Sequence, residues 1–110
     1  MLANTPEPPY YAVIFSSIRT ENDDDGYNRM AVLMETLARQ QPGFLGFESA
    51  RHDTGITVSY WKDLESIKLW RAHAEHQIAQ EKGKALWYRE YKVRIAKVER
   101  DYDFTMASSK

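Results

Sequence analysis

Few residues in this sequence are equipped for chemistry: His52, His73 and His76, Arg51 and Arg89, and the rings of Tyr60, Trp61 and Trp70. Imidazole titrates near neutrality, so each histidine is a candidate general base. Arg51 and Arg89 are permanent cations suited to holding an anion or a developing negative charge. Tyr60, Trp61 and Trp70 offer flat walls for a planar ligand, although core packing explains Trp61 and Trp70 equally well. For His52, at the end of a strand, a solvated hairpin histidine is the commoner case. His73 and His76 stand at i and i+3, a spacing that can share a metal ion. No third or fourth ligand follows at recognisable spacing, so no metal is expected. The absence of cysteine removes thiolate catalysis, disulfides and Cys-ligated centres. Neither a serine–histidine–carboxylate spacing nor a glycine-rich phosphate loop is present.

The elements that must position these residues follow from periodicity. Residues 1–9 hold Pro6, Pro8 and Pro9 and read as an extended, poorly ordered arm. Residues 10–19, YYAVIFSSIR, are rich in aromatic and branched side chains and predict a strand. The acidic run Glu21-Asn22-Asp23-Asp24-Asp25 suits the capped, negatively charged start of a helix. As a cation site it lacks the spacing and terminal glutamate of an EF-hand. A helix is predicted over residues 27–41, where Tyr27, Met30, Met34 and Leu37 share a face and Pro42-Gly43 ends the element. Residues 44–52 and 55–61 predict a hairpin across Asp53-Thr54, without the glycine a type I′ turn prefers.

Asp63 is placed to cap a second helix carrying Leu64, Ile67 and Trp70 on one face. The pattern loosens over residues 71–75, which predicts a break, then resumes through His76, Ile78 and Ala79 to Gly83, with a last turn over residues 84–86. Residues 87–104 predict the final strand. Its apolar phase flips between Ile95 and Ala96, as a β-bulge or burial of different faces in different halves would produce. Residues 10–105 thus form one domain, with a tail over residues 106–110.

The order β-α-β-β-α-β is the ferredoxin-like arrangement of an α+β protein: one four-stranded antiparallel sheet with both helices on one side. The other side faces water or a partner. Because both faces of these strands carry apolar or aromatic residues, a homodimer through the open sheet face is the expectation. The three Trp, seven Tyr and four Phe exceed what so small a core requires, and point to an aromatic-lined pocket or a subunit interface.

Composition narrows the partners. A formal net charge of −1 supplies no basic field for a phosphate backbone, so nucleic acid is not expected. No apolar run approaches the ~20 residues that span a bilayer. The N-terminus lacks the charged start and apolar stretch of a secretory signal, and a cytoplasmic protein is expected.

Over residues 41–100 the chain resembles the antibiotic biosynthesis monooxygenase family of dimeric α+β barrels. The resemblance lies in Pro42-Gly43-Phe44-Leu45-Gly46-Phe47-Glu48, in Thr57-Val58-Ser59-Tyr60-Trp61, and in Asp63-Leu64-Glu65-Ser66 followed by Trp70, His76 and Ala79-Gln80. It closes on Trp87-Tyr88-Arg89-Glu90-Tyr91 and the run from Val93 to Arg100. This resemblance implies a pocket between the sheet and helices of each subunit. It also implies oxidation of a small aromatic or quinol-type molecule by molecular oxygen with no cofactor. In such a reaction the base would come from His52, His73 or His76, the anion partners would be Arg51 and Arg89, and Tyr60, Trp61 and Trp70 would be the walls. A non-catalytic small-molecule-binding or stress-response protein on the same scaffold is the alternative. The family's haem-degrading branch carries an asparagine on the first strand, and a tryptophan and a histidine on the second helix. Trp70 matches that tryptophan, but Phe15 or Ser16 replaces the asparagine, Gln80 replaces the histidine, and His76 comes about one turn too early. Haem is therefore expected only if its ligand has shifted to His73 or His76.

Overall fold

The structure, a computed structural model, describes residues 1–80 and 84–107. Its elements are β1 (Tyr10–Arg19), α1 (Asp24–Arg39), β2 (Phe44–Arg51), β3 (Gly55–Trp61), α2 (Leu64–Gln80), α3 (Lys84–Trp87) and β4 (Tyr88–Val98). The strands form one antiparallel sheet in the order β2-β3-β1-β4. This is the ferredoxin-like arrangement the periodicity predicts.

α1 begins about a turn earlier than the apolar stripe suggests, because the acidic run supplies its start. The Asp23 carboxylate accepts from the Gly26 amide at 3.2 Å, while Asp24 and Asp25 occupy the first turn near the positive end of the helix. At φ 52 Asp23 is left-handed, a conformation that aspartate tolerates better than most side chains. Its second carboxylate oxygen accepts from the Trp87 indole at 3.2 Å, tying the head of α1 to the entry of β4.

The predicted break at residues 71–75 does not occur: α2 is continuous. Neither proline nor glycine interrupts it, and Arg71 pairs with Glu75 one turn on at 3.1 Å. The apolar pattern loosens because a histidine, His73, takes the next place on the half-buried stripe after Ile67 and Trp70. Asp63 does cap α2: its carboxylate accepts from the Ser66 amide at 2.8 Å. Hydrogen bonds from Ser66, its side chain foremost, hold the Asp63 carboxyl below its ordinary value. Gly83, the predicted end of this helical run, lies outside the described residues, as does the tail over residues 108–110.

β4 also departs from expectation. No bulge falls between Ile95 and Ala96, where pairing with β1 is regular. The register shifts instead where Ile18 pairs with Glu90 and Arg19 with Tyr88, leaving Arg89 as the extra residue. The strand stops at Val98 rather than running to Phe104, and the apolar residues beyond it stand outside the sheet.

Pairing across the register sorts the side chains. Tyr11, Val13, Phe15, Ser17 and Arg19 of β1 share a face with Trp61, Ser59, Thr57 and Gly55 of β3, and this face carries the helices. Its core is Trp61, fully enclosed with Ala38 of α1 and Ile67 of α2, and flanked by Tyr11, Val13, Phe44 and Trp70. The Trp61 indole donates to the Ser59 hydroxyl at 2.9 Å, so its one polar atom is satisfied inside the core. Gly43 fixes how α2 sits. At φ 86 it takes a turn that L side chains rarely adopt, and a Cβ there would overlap the Ser66 side chain. Replacing Trp61 with Ala should lower the unfolding free energy by about 3–5 kcal/mol, the cost of emptying a large core site. Urea titration with an unchanged slope measures this, and a loss within 1 kcal/mol or so would contradict it.

Candidate functional site

The helix side of the sheet has two differently equipped ends. At the first, Trp61 stacks on Trp70 with centroids 5.9 Å apart and planes at 23°. The His73 ring follows 6.0 Å from Trp70. His73 is half-buried, and its Nε2 is enclosed without a hydrogen-bond partner among the described residues. A buried acceptor or donor left unmet is costly, so this nitrogen is poised for an added partner.

The second end collects arginines and phenols. The Arg51 guanidinium leaves β2, crosses Gly55 of β3 and donates to the Ser17 hydroxyl of β1 at 2.5 Å, with the Tyr27 hydroxyl at 3.4 Å. That crossing needs glycine, since a Cβ at position 55 would overlap the guanidinium. Arg19 lies over the ring of the same tyrosine, its Cζ 3.8 Å from the Tyr27 centroid. Arg19 also pairs with Asp24 at 2.8 Å and donates to the Asn22 carbonyl at 2.9 Å, while its Nε is buried without a partner among the described residues. Around them stand Phe15, stacked on Tyr91 at 5.2 Å, and Tyr88, edge-on to Phe15, Tyr27 and Tyr91 at 5.6, 5.9 and 5.6 Å. Burial, foremost, pushes the Tyr88 phenol well above its ordinary value. The charge and hydroxyl of Tyr27 add to the shift, and the two arginines oppose it.

Between these ends the floor is Phe15, Thr57 and Ser59. Along the β4 margin it is open: Val93 and Ile95 point to the helix side yet are 44% and 47% exposed.

The candidates from the sequence are therefore dispersed. Trp61, Trp70 and His73 come together, and Arg51 joins the same face at its other end. Tyr60 projects from the opposite side of the sheet, as the alternation of side chains along β3 requires. His52 is exposed in the β2–β3 turn, His76 is exposed on α2, and Arg89 is exposed at the bulge. Of the histidine pair, only His73 is enclosed. Among the described residues no three His, Asp or Glu side chains converge to hold a metal ion. Nor is any described helix long and apolar enough to cross a membrane. Sequence reasoning missed Ser17, Arg19, Tyr27 and Tyr88. The available signal was the pairing of a strand-terminal arginine with the first aromatic residue of the following helix.

Tyr60 belongs to a separate polar cluster on the open side. It donates to the Glu48 carboxylate at 2.8 Å and meets Tyr10 edge-on at 5.8 Å. Two residues of the N-terminal arm reach this region. The Ala3 amide donates to Glu48 at 2.8 Å, and the Thr5 hydroxyl to Tyr10 at 3.0 Å. A hollow of about 280 Å³ lies under this arm, between it and Asp101 to Asp103. A smaller one, about 180 Å³, lies behind α1 beside Asp23 and Trp87. Neither is lined by Trp70 or His73.

Burial, then the Glu48 hydrogen bond and charge, push the Tyr60 phenol up to about 12 from its ordinary 10.0. The folded state thus keeps a proton that the unfolded chain loses. The stability this contributes is complete below pH 10.0 and falls as the pH rises toward about 12. Ultraviolet titration should show a late-ionising phenol that Tyr60→Phe removes. If all the tyrosines ionise together near their ordinary value, the cluster is wrongly described.

Residues 9–82 match the family model for antibiotic biosynthesis monooxygenase. The chain is 58% identical over 101 residues to YqjZ, an uncharacterised protein of Bacillus subtilis, with 90% of this chain and 88% of that one covered. It is 29% identical over 94 residues to the jasmonate monooxygenase ABM of Pyricularia oryzae, covering 80% of this chain and 43% of that longer protein. Among solved structures it is similar to SnoaB, a cofactor-independent oxygenase from Streptomyces nogalater. The TM-score is 0.64 at 10% identity, over 90% of this chain and 100% of that one, a likeness of fold alone. A family model spanning most of the folded core, on the fold the residues themselves predict, places the chain in the antibiotic biosynthesis monooxygenase family.

Proposed function

We propose that this protein is a cofactor-independent monooxygenase whose substrate, a small aromatic or quinol-type molecule, lies on the helix side of the sheet. The observation that carries the reading is the enclosed, unpartnered Nε2 of His73 at one end of an aromatic floor whose other end presents Arg19 and Arg51. The relatives described as a jasmonate monooxygenase and a cofactor-independent oxygenase support it.

The chemistry asks for these parts. His73 removes a proton from the substrate's hydroxyl or activated carbon, leaving an electron-rich anion. The guanidinium groups favour that anion through charge, and the rings hold it flat. Oxygen adds at carbon, and the proton returns to give a hydroperoxide. The O–O bond then breaks as the carbon loses its remaining hydrogen. One oxygen atom stays as a carbonyl and the other leaves as water. All the electrons that reduce oxygen come from the substrate, so no metal or flavin enters the balance.

In the same reading two copies pack through the open sheet face, where Ile18 and Ile56 are 37% and 46% exposed beside Ile14, Val58 and Ala96. Burying such residues is favourable at about 25 cal/mol per Å².

Oxygen uptake with a panel of hydroquinones and anthrones tests the reaction. Turnover should persist after exhaustive chelation. His73→Ala should lower kcat by roughly 10²–10⁴, the usual worth of a positioned base. His76→Ala should leave kcat unchanged. Tight binding without turnover across the panel would instead favour a binding protein. A Soret band on adding haemin, abolished by His73→Ala, would favour haem. Sedimentation at micromolar concentration should give a dimer that Ile56→Asp weakens.

A further inference from the structure

We infer that the segment following β4 is an exchange arm. Residues 99–106 of one copy lie along the free edge of β4 in a second copy, where Tyr102, Phe104 and Met106 wall the open cleft. This rests on the two-copy reading above and adds which residues cross between copies and what they complete.

The segment reads Glu99-Arg100-Asp101-Tyr102-Asp103-Phe104-Thr105-Met106. Apolar and polar residues alternate from Tyr102 onward, the pattern of a strand with one greasy face. Yet the segment lies beyond the last strand, and Tyr102, Phe104 and Met106 are 99%, 88% and 80% exposed. Single exposed apolar residues need no account, whereas a regular row of three large ones marks a contact surface.

Its own sheet is not the place for that row. The Tyr10 hydroxyl donates to Asp101 at 2.5 Å, which directs the segment past the start of β1 and away from β4. Glu99-Arg100-Asp101 also has no glycine, asparagine or proline with which to turn back as a hairpin.

The edge of β4 in another copy is a match on both faces. β4 is terminal in the sheet, with a strand on one side only among the described residues, and such an edge invites pairing with a second chain. Val93 and Ile95 are half-exposed on its helix side, while Lys92 and Arg94 are exposed on the other. Side chains alternate along a strand. An added strand that sets Tyr102, Phe104 and Met106 beside Val93 and Ile95 must therefore set Asp103 beside Lys92 and Arg94. Apolar meets apolar on one face, and acid meets base on the other. Since Val93 and Ile95 border the cleft floored by Phe15, the second copy's arm supplies its missing wall. The site is incomplete in one copy.

The absence of native cysteine makes a direct test clean. Chains bearing Phe104→Cys are mixed with chains bearing Val93→Cys or Ile95→Cys, equilibrated and oxidised. The expected result is a disulfide between unlike chains, and dimers rather than closed single chains when both cysteines sit in one chain. Closed single chains, or no linkage while sedimentation still shows a dimer, would overturn the arm placement and leave the two-copy reading intact. A single-copy species overturns both. Independently, the triple variant Tyr102→Ser, Phe104→Ser, Met106→Ser should weaken the dimer by roughly tenfold or more, as loss of interface anchors does, with an unchanged far-ultraviolet spectrum. An unchanged dissociation constant would also overturn the inference.

Discussion

Enclosure of Trp61 between α2 and the sheet is the contact on which the rest depends. The indole is fully buried, meets Phe44 edge-on at 5.5 Å, stacks on Trp70 at 5.9 Å, and packs against the helix that carries His73. It therefore sets the height of α2 above the strands. The Pro42-Gly43 turn beneath the first turn of α2 serves the same end, as the Gly43 carbonyl accepts from the Lys62 amide at 2.9 Å. A side chain at position 43 would lift the helix, and His73 with it. A buried tryptophan and an unsubstituted turn thus fix where the His73 ring stands over the sheet.

The helices do not cover the sheet evenly. The core gathers over β3 and the first half of β1, whereas β4, at the far edge, keeps Val93 and Ile95 half in solvent. Uneven cover explains why the helix side of the sheet is open along β4. On the opposite face the terminal arm occupies one end through Glu48 and Tyr10, leaving Ile18 and Ile56 at the other. The monomer therefore leaves apolar surface on both faces.

Much of this was legible in the residues. Aromatic and branched side chains located β1, the short Asp53-Thr54 connection separated β2 from β3, and the acidic run marked the head of α1. The chemistry of turns and caps acts within a few residues, so local sequence carries it. The errors share a cause of their own. The break at residues 71–75 was inferred from a lapse in apolar periodicity, but a half-buried histidine can hold an apolar helix position. The flip of apolar phase at Ile95–Ala96 fits either a bulge or burial of different faces in different halves, and the pairing there is regular. Only the pairing partner reveals that the extra residue is Arg89. The Arg19–Tyr27–Arg51 grouping draws on β1, α1 and β2, and no single window of sequence contains it.

Alternation also limits what can bind. Val13, by the tryptophan end, and Ser17, under Arg51, lie on the same face of β1, four residues apart. At the rise of an extended strand that is about 13 Å. On the proposed reading, a single small ring engages either His73 or the arginines, whereas a molecule of several fused rings reaches both. Proton removal and charge stabilisation are then coupled through the substrate's own conjugation. Arg51 contributes little to a ligand too short to carry negative charge to its end of the floor, so the length of the conjugated system becomes the selected property. Gly55 is what permits this. With a side chain there, the guanidinium could not lie across β3, and the floor would keep its aromatic walls but lose the cation at its far end.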